Sequence, residues 1–155
     1  MAPCLVYFAL IGVGSFLLGR IVPKKYFHWD RFPYRSFVWE REGAVYQKLG
    51  IRRWQNRIPD MSRYVPNWMP PKRIVGSVDT ERLEIMLRET CVAEWIHWLL
   101  CILGFGCLWL WPGKGGIVTA FVYALGNLPF ILVQRYNRPR LQKLWIKKKK
   151  REEMP

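Results

Sequence analysis

The sequence predicts an all-α integral membrane protein with about three transmembrane helices and further cytoplasmic helices that lie on the membrane surface. Hydrophobic residues make up 51% of the 155 positions, although 25 Lys and Arg outnumber 11 Asp and Glu. The apolar residues are gathered into three blocks, each close to the roughly 17–25 residues that cross a bilayer. A soluble chain this basic would be typical of a nucleic-acid binder, but that class leaves the three blocks unexplained.

The predicted spans are residues 3–19, 91–111 and 117–133. The first and third carry no charge, and the second is charged only at Glu94. A cleaved signal peptide would need a basic start and a small-residue cleavage site, and the first basic residue is Arg20. We therefore expect the first span to be retained, and we expect Asn127 and Pro129 to interrupt the third.

The distribution of positive charge predicts the orientation. No Lys or Arg precedes the first span, fifteen lie in residues 20–88, one lies in the link "PGKGG", and nine follow Gln134. The positive-inside rule then places the N-terminus outside and the C-terminus in the cytoplasm of a multi-pass cell-membrane protein. We expect one membrane domain over residues 1–155, with a cytoplasmic loop at 20–90 and a basic tail at 135–155.

The cytoplasmic loop interleaves Trp, Tyr and Phe with Lys and Arg, a mixture typical of the membrane interface. We expect Ser36 to Leu49 to form one amphipathic helix on the surface. Pro59, Pro66, Pro70 and Pro71 predict turns after it. The tail "KKKKREEMP" is expected to be a solvated segment attracted to anionic lipid.

A second long helix is predicted to begin near Ser77 or Asp79, either of which can cap it. Spacings of three and four place one stripe on a single helical face: Leu83, Met86, Leu87, Thr90, Glu94 and His97. A helix from Thr80 to Leu110 would be about 45 Å long, longer than the ~30 Å hydrocarbon core. Its first turns should therefore project into the cytoplasm.

The four cysteines (Cys4, Cys91, Cys101 and Cys107) lie in or beside apolar blocks and form no C-x-x-C pair. We interpret them as small buried apolar residues in a reducing or lipid setting. Cys91 has Glu94 and His97 nearby on the chain, so a nucleophilic role is a weaker alternative.

Polar side chains gather where the second and third spans meet the cytoplasm. Glu89, Glu94 and His97 belong to one span and residues 134–138 to the other, and the short link makes the two helices neighbours. Ionisable groups inside a span are expensive and often functional. His97 suits a general base that Glu94 orients, and Arg135 or Arg138 can pair with Glu89 or Glu94. A structural polar network is the alternative, and a metal site is not expected because no second matching histidine helix exists.

Four stretches in order carry a resemblance to a known family: "GRIVPKKYF", "REGAVYQKLGIRRWQNRIPD", "ETCVAEWIHW" and "YALGNLPFILVQRYNRPRL". Over most of the chain the sequence resembles the glycosyl-4,4'-diaponeurosporenoate acyltransferases of carotenoid biosynthesis in Gram-positive bacteria. One departure is Val92, where the family pattern tends to have a basic residue before Ala-Glu.

The resemblance implies an O-acyltransferase that moves a fatty acyl group to a sugar hydroxyl of a glycosylated carotenoid or related glycolipid. The donor substrate would be acyl-CoA or acyl-carrier-protein, with no cofactor and no metal. The matching positions give His97, Glu94 and Glu89 as candidate catalytic residues. The candidate substrate-binding residues are Thr90, Trp98, Asn127, Gln134, Arg135, Tyr136, Asn137, Arg138 and Arg140.

Two other classes stay open at this point. A non-catalytic membrane anchor or assembly partner of a lipid-pathway complex would tolerate replacement of His97. An enzyme acting on a lipid phosphate would depend on Arg135 and Arg138 more than on His97. A thin bundle of three spans leaves little room for a lipid tail, so a homodimer or a lipid-facing groove is also compatible with the sequence.

Overall fold

The structure is a computed structural model that describes residues 2–58 and 78–154. Within these residues it contains helices and turns and no strand, which confirms the predicted all-α class. The helices are α1 (Ala2–Ile21), α2 (Ala44–Lys48), α3 (Ile51–Trp54), α4 (Thr80–Gly104), α5 (Cys107–Leu110) and α6 (Lys114–Glu152), with 3-10 turns at Lys24–Tyr26, Val38–Gly43 and Gln55–Arg57.

Three helical stretches are long and apolar enough to cross a membrane: Ala2–Ile21, Thr80–Leu110 and Lys114–Glu152. The first and third contain the predicted spans, and the second covers its predicted span up to Leu110, so the expected number and order are confirmed. Each also extends beyond its apolar block, because the hydrogen-bond ladder continues where the hydrophobic pattern stops.

The prediction that Asn127 and Pro129 interrupt the third span is wrong. Both lie inside α6, a continuous helix of 39 residues. An internal proline removes one ladder donor and costs about 3 kcal/mol, but the turns on either side keep their own bonds. The Asn127 amide also donates to the Tyr123 carbonyl at 3.0 Å, which adds a side-chain bond to the preceding turn.

The basic tail is helical through Glu152, and most of its side chains are exposed, which agrees with the predicted solvated segment. Its attraction to anionic lipid stays a prediction. The Thr80 hydroxyl donates to the Glu152 carboxylate at 2.8 Å, and the Lys148 ammonium donates to the Val78 carbonyl. Trp145 packs against the apolar cluster at the start of α4. These contacts hold the end of α6 against the beginning of α4.

The predicted single helix from Thr80 to Leu110 is continuous to Gly104 and then divides at a turn before α5, so the prediction is wrong for its last six residues. Its start is confirmed, because the Asp79 carboxylate accepts the backbone N–H of Arg82 at 2.8 Å. Ser77 and the four turn prolines lie outside the described residues. α4 ends at Gly104, and a side chain there would collide with the Tyr123 ring, 2.6 Å away.

The chain divides into two compact units, which we name the apolar unit (Met1–Tyr26 and Val92–Leu132) and the basic unit (Phe27–Cys91 and Val133–Pro155). In the apolar unit, α1 packs closely against α4 at Gly19, where a Cβ would lie 3.3 Å from Ile96. The Tyr7 hydroxyl donates to the Leu103 carbonyl at 2.8 Å. The Phe8 ring stacks on Tyr123 with centroids 4.0 Å apart.

A disulfide joins Cys4 of α1 to Cys107 of α5 in the apolar unit. The interpretation of all four cysteines as separate buried residues is therefore wrong for this pair. Their 103-residue separation gives no sequence signal, and only the packing of the helices brings the two sulfurs together. Cys91 and Cys101 are buried and are not disulfide-bonded.

The basic unit has its own apolar core, formed by Val78, Leu83, Met86, Leu87 and Leu141 with Trp29 and Trp145 against it. The predicted stripe of α4 is confirmed, since its members are buried apart from the half-buried His97. The predicted helix over residues 36–49 is wrong as a single element. Arg41 and Glu42 have positive φ (47° and 54°), which breaks it into the 3-10 turn and α2.

Candidate functional site

The candidate site residues fall into two clusters, one in each unit. Glu94, His97, Trp98 and Asn127 lie in the apolar unit. Glu89, Thr90 and the predicted residues of the segment 134–140 lie in the basic unit.

His97 of α4 is held by Asn127 of α6 in the apolar unit. The His97 Nδ1 and the Asn127 Oδ1 are 2.8 Å apart. The Asn127 Nδ2 donates to the Tyr123 carbonyl, which orients the amide so that its oxygen faces the imidazole. That oxygen can only accept, so Nδ1 carries the hydrogen and the lone pair of a neutral ring lies on Nε2.

Phe130 fixes the plane of the same imidazole. Its ring stacks on His97 with centroids 4.5 Å apart and an angle of 16°. Asn127 and Phe130 are three residues apart, so one face of α6 supplies both the hydrogen bond and the stack. His97 is half-buried, which leaves part of the ring accessible.

Glu94 lies one turn before His97 and is 2% exposed. Its predicted role in orienting the imidazole stays a prediction, besides the hydrogen bond between His97 and Asn127. Trp98 is about half exposed on the outside of the same helix. The family resemblance placed Asn127 among the substrate-binding residues. Its pairing with His97 could not be predicted, because it depends on how α4 and α6 pack.

Arg135 is the centre of the cluster in the basic unit. Its Nε donates to the Glu40 carboxylate at 2.5 Å and its Nη2 donates to the same group at 3.0 Å. Its Nη1 donates to the Pro33 carbonyl at 3.2 Å and its Nη2 to the Arg35 carbonyl at 3.4 Å. The guanidinium therefore holds the loop that precedes α2.

Arg138 holds the same loop from the next turn of α6. Its Nη1 donates to the Tyr34 carbonyl at 2.6 Å. Its Nε donates to the Thr90 hydroxyl at 2.9 Å, and its Nη2 donates to the Thr90 carbonyl at 3.1 Å. Direct contact of Arg135 or Arg138 with substrate, and their predicted pairing with Glu89 or Glu94, stay predictions.

Glu40 is the acidic residue that sequence reasoning missed. It is 1% exposed and accepts the backbone N–H of Phe37 at 2.6 Å and the Tyr46 hydroxyl, besides Arg135. Burial by itself raises the pKa of the carboxyl, but the bonds from Arg135, Tyr46 and Phe37 together lower it below its usual range. Burial and the neighbouring carboxylate raise the pKa of Tyr46.

The remaining predicted residues surround these contacts in the basic unit. Glu89, Gln134 and Tyr136 are buried, and Asn137 is half-buried. Arg140 is exposed, and its Nη1 donates to the Tyr136 hydroxyl at 3.0 Å. Among the described residues, no group of three His, Cys, Asp or Glu side chains is placed to hold a metal ion.

Comparison with known proteins identifies the family. The profile of the glycosyl-4,4'-diaponeurosporenoate acyltransferases matches residues 23–147. A protein of that name from Staphylococcus aureus strain Newman is 33% identical over 151 residues, which cover 96% of this chain and 90% of the relative. One from strain USA300 is 32% identical over 142 residues, or 91% of this chain and 85% of the relative. No solved structure matches. The chain belongs to the glycosyl-4,4'-diaponeurosporenoate acyltransferase family.

Proposed function

We propose that this member of the family transfers a fatty acyl group from an activated thioester to a sugar hydroxyl of a glycosylated carotenoid, with His97 as general base. The family name supports an acyltransferase acting on a glycosylated carotenoid. The observation that carries the role of His97 is its hydrogen bond to Asn127, which leaves the basic lone pair on Nε2.

The proposed step needs one base and one proton carrier. The Nε2 of His97 takes the proton of the sugar hydroxyl as its oxygen attacks the thioester carbonyl. The carbon–sulfur bond then breaks, and the imidazolium returns the proton to the departing thiolate. The products are a sugar ester and a free thiol, so no redox partner or metal is required.

Asn127 suits this step because a neutral amide sets the tautomer without adding charge to the apolar unit. The stack with Phe130 restricts rotation of the ring, so Nε2 keeps one direction through the reaction. Glu94 is proposed as a further positioning residue, since it is buried one turn away on the same helix. Glu89 stays a candidate catalytic residue.

The enzyme is proposed to work in the cell membrane, with its N-terminus outside and its C-terminus in the cytoplasm. Three helices of sufficient length and apolarity support a multi-pass protein. An amphiphilic acceptor would stay in the bilayer while a charged donor arrives from the cytoplasm. A homodimer is compatible with this arrangement.

Either acyl-CoA or acyl-carrier-protein is proposed as the donor. Both are anionic, and the basic unit exposes Lys48, Arg52, Arg53 and Arg57 within ten residues. Their exposed positive charge would attract an anionic donor.

The experiment is lipid mass spectrometry of cells that make glycosylated carotenoids, with and without this chain. The intact chain should produce a species heavier by one fatty acyl group. His97→Ala should remove that species, with a loss of about 10²–10⁴-fold in rate if the base is required. His28→Ala is the matched control, because His28 is the other histidine and lies exposed in the basic unit.

The outcomes separate the proposal from its alternatives. Undiminished product with His97→Ala at equal expression would exclude His97 as the base. No product from the intact chain, on carotenoids or on other glycolipids, would favour the non-catalytic anchor. Loss of product in both histidine variants would indicate a folding defect, which protein abundance in the membrane would reveal.

A further inference from the structure

The loop that Arg135 and Arg138 hold carries unusually exposed apolar side chains. Phe32 is 77% exposed, Val38 is 97% exposed and Trp39 is 60% exposed. We name these three residues the aromatic edge. Single exposed apolar residues are common, but three large ones within eight positions of one loop concentrate apolar surface that water solvates poorly.

The aromatic edge is held in place by the loop beneath it. The carbonyls of Pro33, Tyr34 and Arg35 accept guanidinium hydrogens from α6. The Arg135 guanidinium lies 4.7 Å from the Phe37 ring centroid. The loop therefore cannot bury its apolar side chains by folding inward without breaking charge-assisted bonds.

Contacts between aromatic rings hold Phe32 and Trp39 of the aromatic edge against the loop. Phe37 stacks on Trp39 with centroids 6.3 Å apart, and Phe32 meets Phe37 edge-on at 6.3 Å. Trp39 also meets the Tyr46 ring edge-on at 6.2 Å. Tyr46 donates to the buried Glu40, which is the partner of Arg135.

Cationic side chains flank the aromatic edge. Arg31, Arg35 and Arg41 are exposed beside it. Exposed aromatic rings among arginines match the boundary between lipid headgroups and acyl chains, where rings insert and guanidinium groups bind phosphates. The net charge of +14 favours an anionic surface in the same way.

We propose that the aromatic edge inserts into the headgroup region of an anionic leaflet and anchors the basic unit to the membrane surface. This proposal requires that the chain is membrane-bound, but it does not rest on acyl transfer or on His97. It assigns Arg135 and Glu40 a positioning task, because they hold the loop that presents the edge.

The test uses the full chain reconstituted in vesicles that contain phosphatidylglycerol. Fluorescence is compared between the intact protein and Trp39→Phe, so that the difference between them reports Trp39 among the nine tryptophans. Lipids brominated near the carboxyl end of the acyl chain should quench the Trp39 component, whereas aqueous iodide should not. Val38→Asp should abolish the lipid quenching of Trp39 and restore quenching by iodide.

Ile146→Asp is the matched control, since it places the same charge at an exposed apolar position of α6 away from the edge. It should leave the quenching of Trp39 unchanged. Quenching of Trp39 by iodide in the intact, vesicle-bound protein would overturn the proposal. Protection of Trp39 from both quenchers would also overturn it, because the edge would then be covered by protein. The Trp39→Phe comparison decides the question even if Val38→Asp fails to fold.

Discussion

Replacement of Glu40 by Gln tests whether the cluster around Arg135 holds the basic unit together. The Glu40 carboxylate receives the Phe37 N–H, the Tyr46 hydroxyl and two guanidinium nitrogens of Arg135. In the Gln variant one carboxylate oxygen becomes an amide N–H₂ group, which cannot accept from the guanidinium. The substitution also removes the negative charge of Glu40 beside the Arg135 guanidinium, whose side chain is 10% exposed.

The expected loss follows from the burial of the pair. Breaking a buried ion pair by removing one partner costs about 3–5 kcal/mol. The Gln side chain keeps part of the hydrogen bonding, so we take the lower end, about 3 kcal/mol. At about 2–4 °C per kcal/mol for a chain of this size, the thermal midpoint should fall by about 6–12 °C.

Glu42→Gln is the matched control in the same loop. Glu42 pairs with Lys143 at 2.6 Å, but both side chains are about two-thirds exposed (66% and 67%). An exposed pair contributes about 0–1 kcal/mol, so the midpoint should fall by less than about 4 °C.

The assay is thermal unfolding in detergent, followed with a fluorophore that reacts with thiols. Cys91 and Cys101 are buried, so they react only as the chain opens. An equal midpoint for the two variants would refute the reasoning, because it would show that burial of the Glu40 pair adds nothing. No shift for Glu40→Gln would show that the cluster does not contribute to stability.

Asn127, Glu40 and the disulfide between Cys4 and Cys107 each allow a further test. Asn127→Leu should lower the rate of acyl transfer about tenfold, because the hydrogen bond that orients His97 contributes about 1–1.5 kcal/mol; an unchanged rate in the lipid assay would contradict this. The thermal midpoint of the intact chain should fall as the pH drops below about 4.5. Folding lowers the pKa of Glu40, so the stabilisation from its carboxylate is lost as the pH falls through the folded value. The midpoint of Glu40→Gln should fall less over this pH range. A thiol-reactive polymer should add to two cysteines of the denatured, unreduced protein and to four after reduction, because Cys4 and Cys107 are disulfide-bonded. Four additions before reduction would exclude the disulfide.

The contacts of Glu40 show why part of the candidate site could not be predicted. Glu40 and Arg135 are 95 residues apart, and no local pattern distinguishes Glu40 from the exposed Glu42 two positions later. The break at Arg41 and Glu42 turns these two side chains to different environments. Helical periodicity, which predicted one helix over residues 36–49, would have hidden this difference.

The third long helix shows that local sequence signals can also predict a break that does not occur. Asn127 and Pro129 disfavour a helix locally, yet α6 continues through both. Local propensity is a weak term of a few kcal/mol, and a break inside an apolar span would leave backbone N–H and C=O groups unsatisfied, which costs more. The lysine-rich tail is ordered by contacts with distant residues, since Thr80 and Val78 of the segment that begins α4 bind it.

The sequence by itself determined the features that depend on composition and spacing. These are the all-α class, the three apolar helices, the short link between the second and third, the stripe of α4 and the family. Tertiary structure decided which polar groups meet: His97 with Asn127, Arg135 with Glu40, and Cys4 with Cys107. The physical reason is that burial and periodicity are properties of one segment, whereas a hydrogen bond or a disulfide depends on angstrom-scale distances that only the packing of distant segments sets.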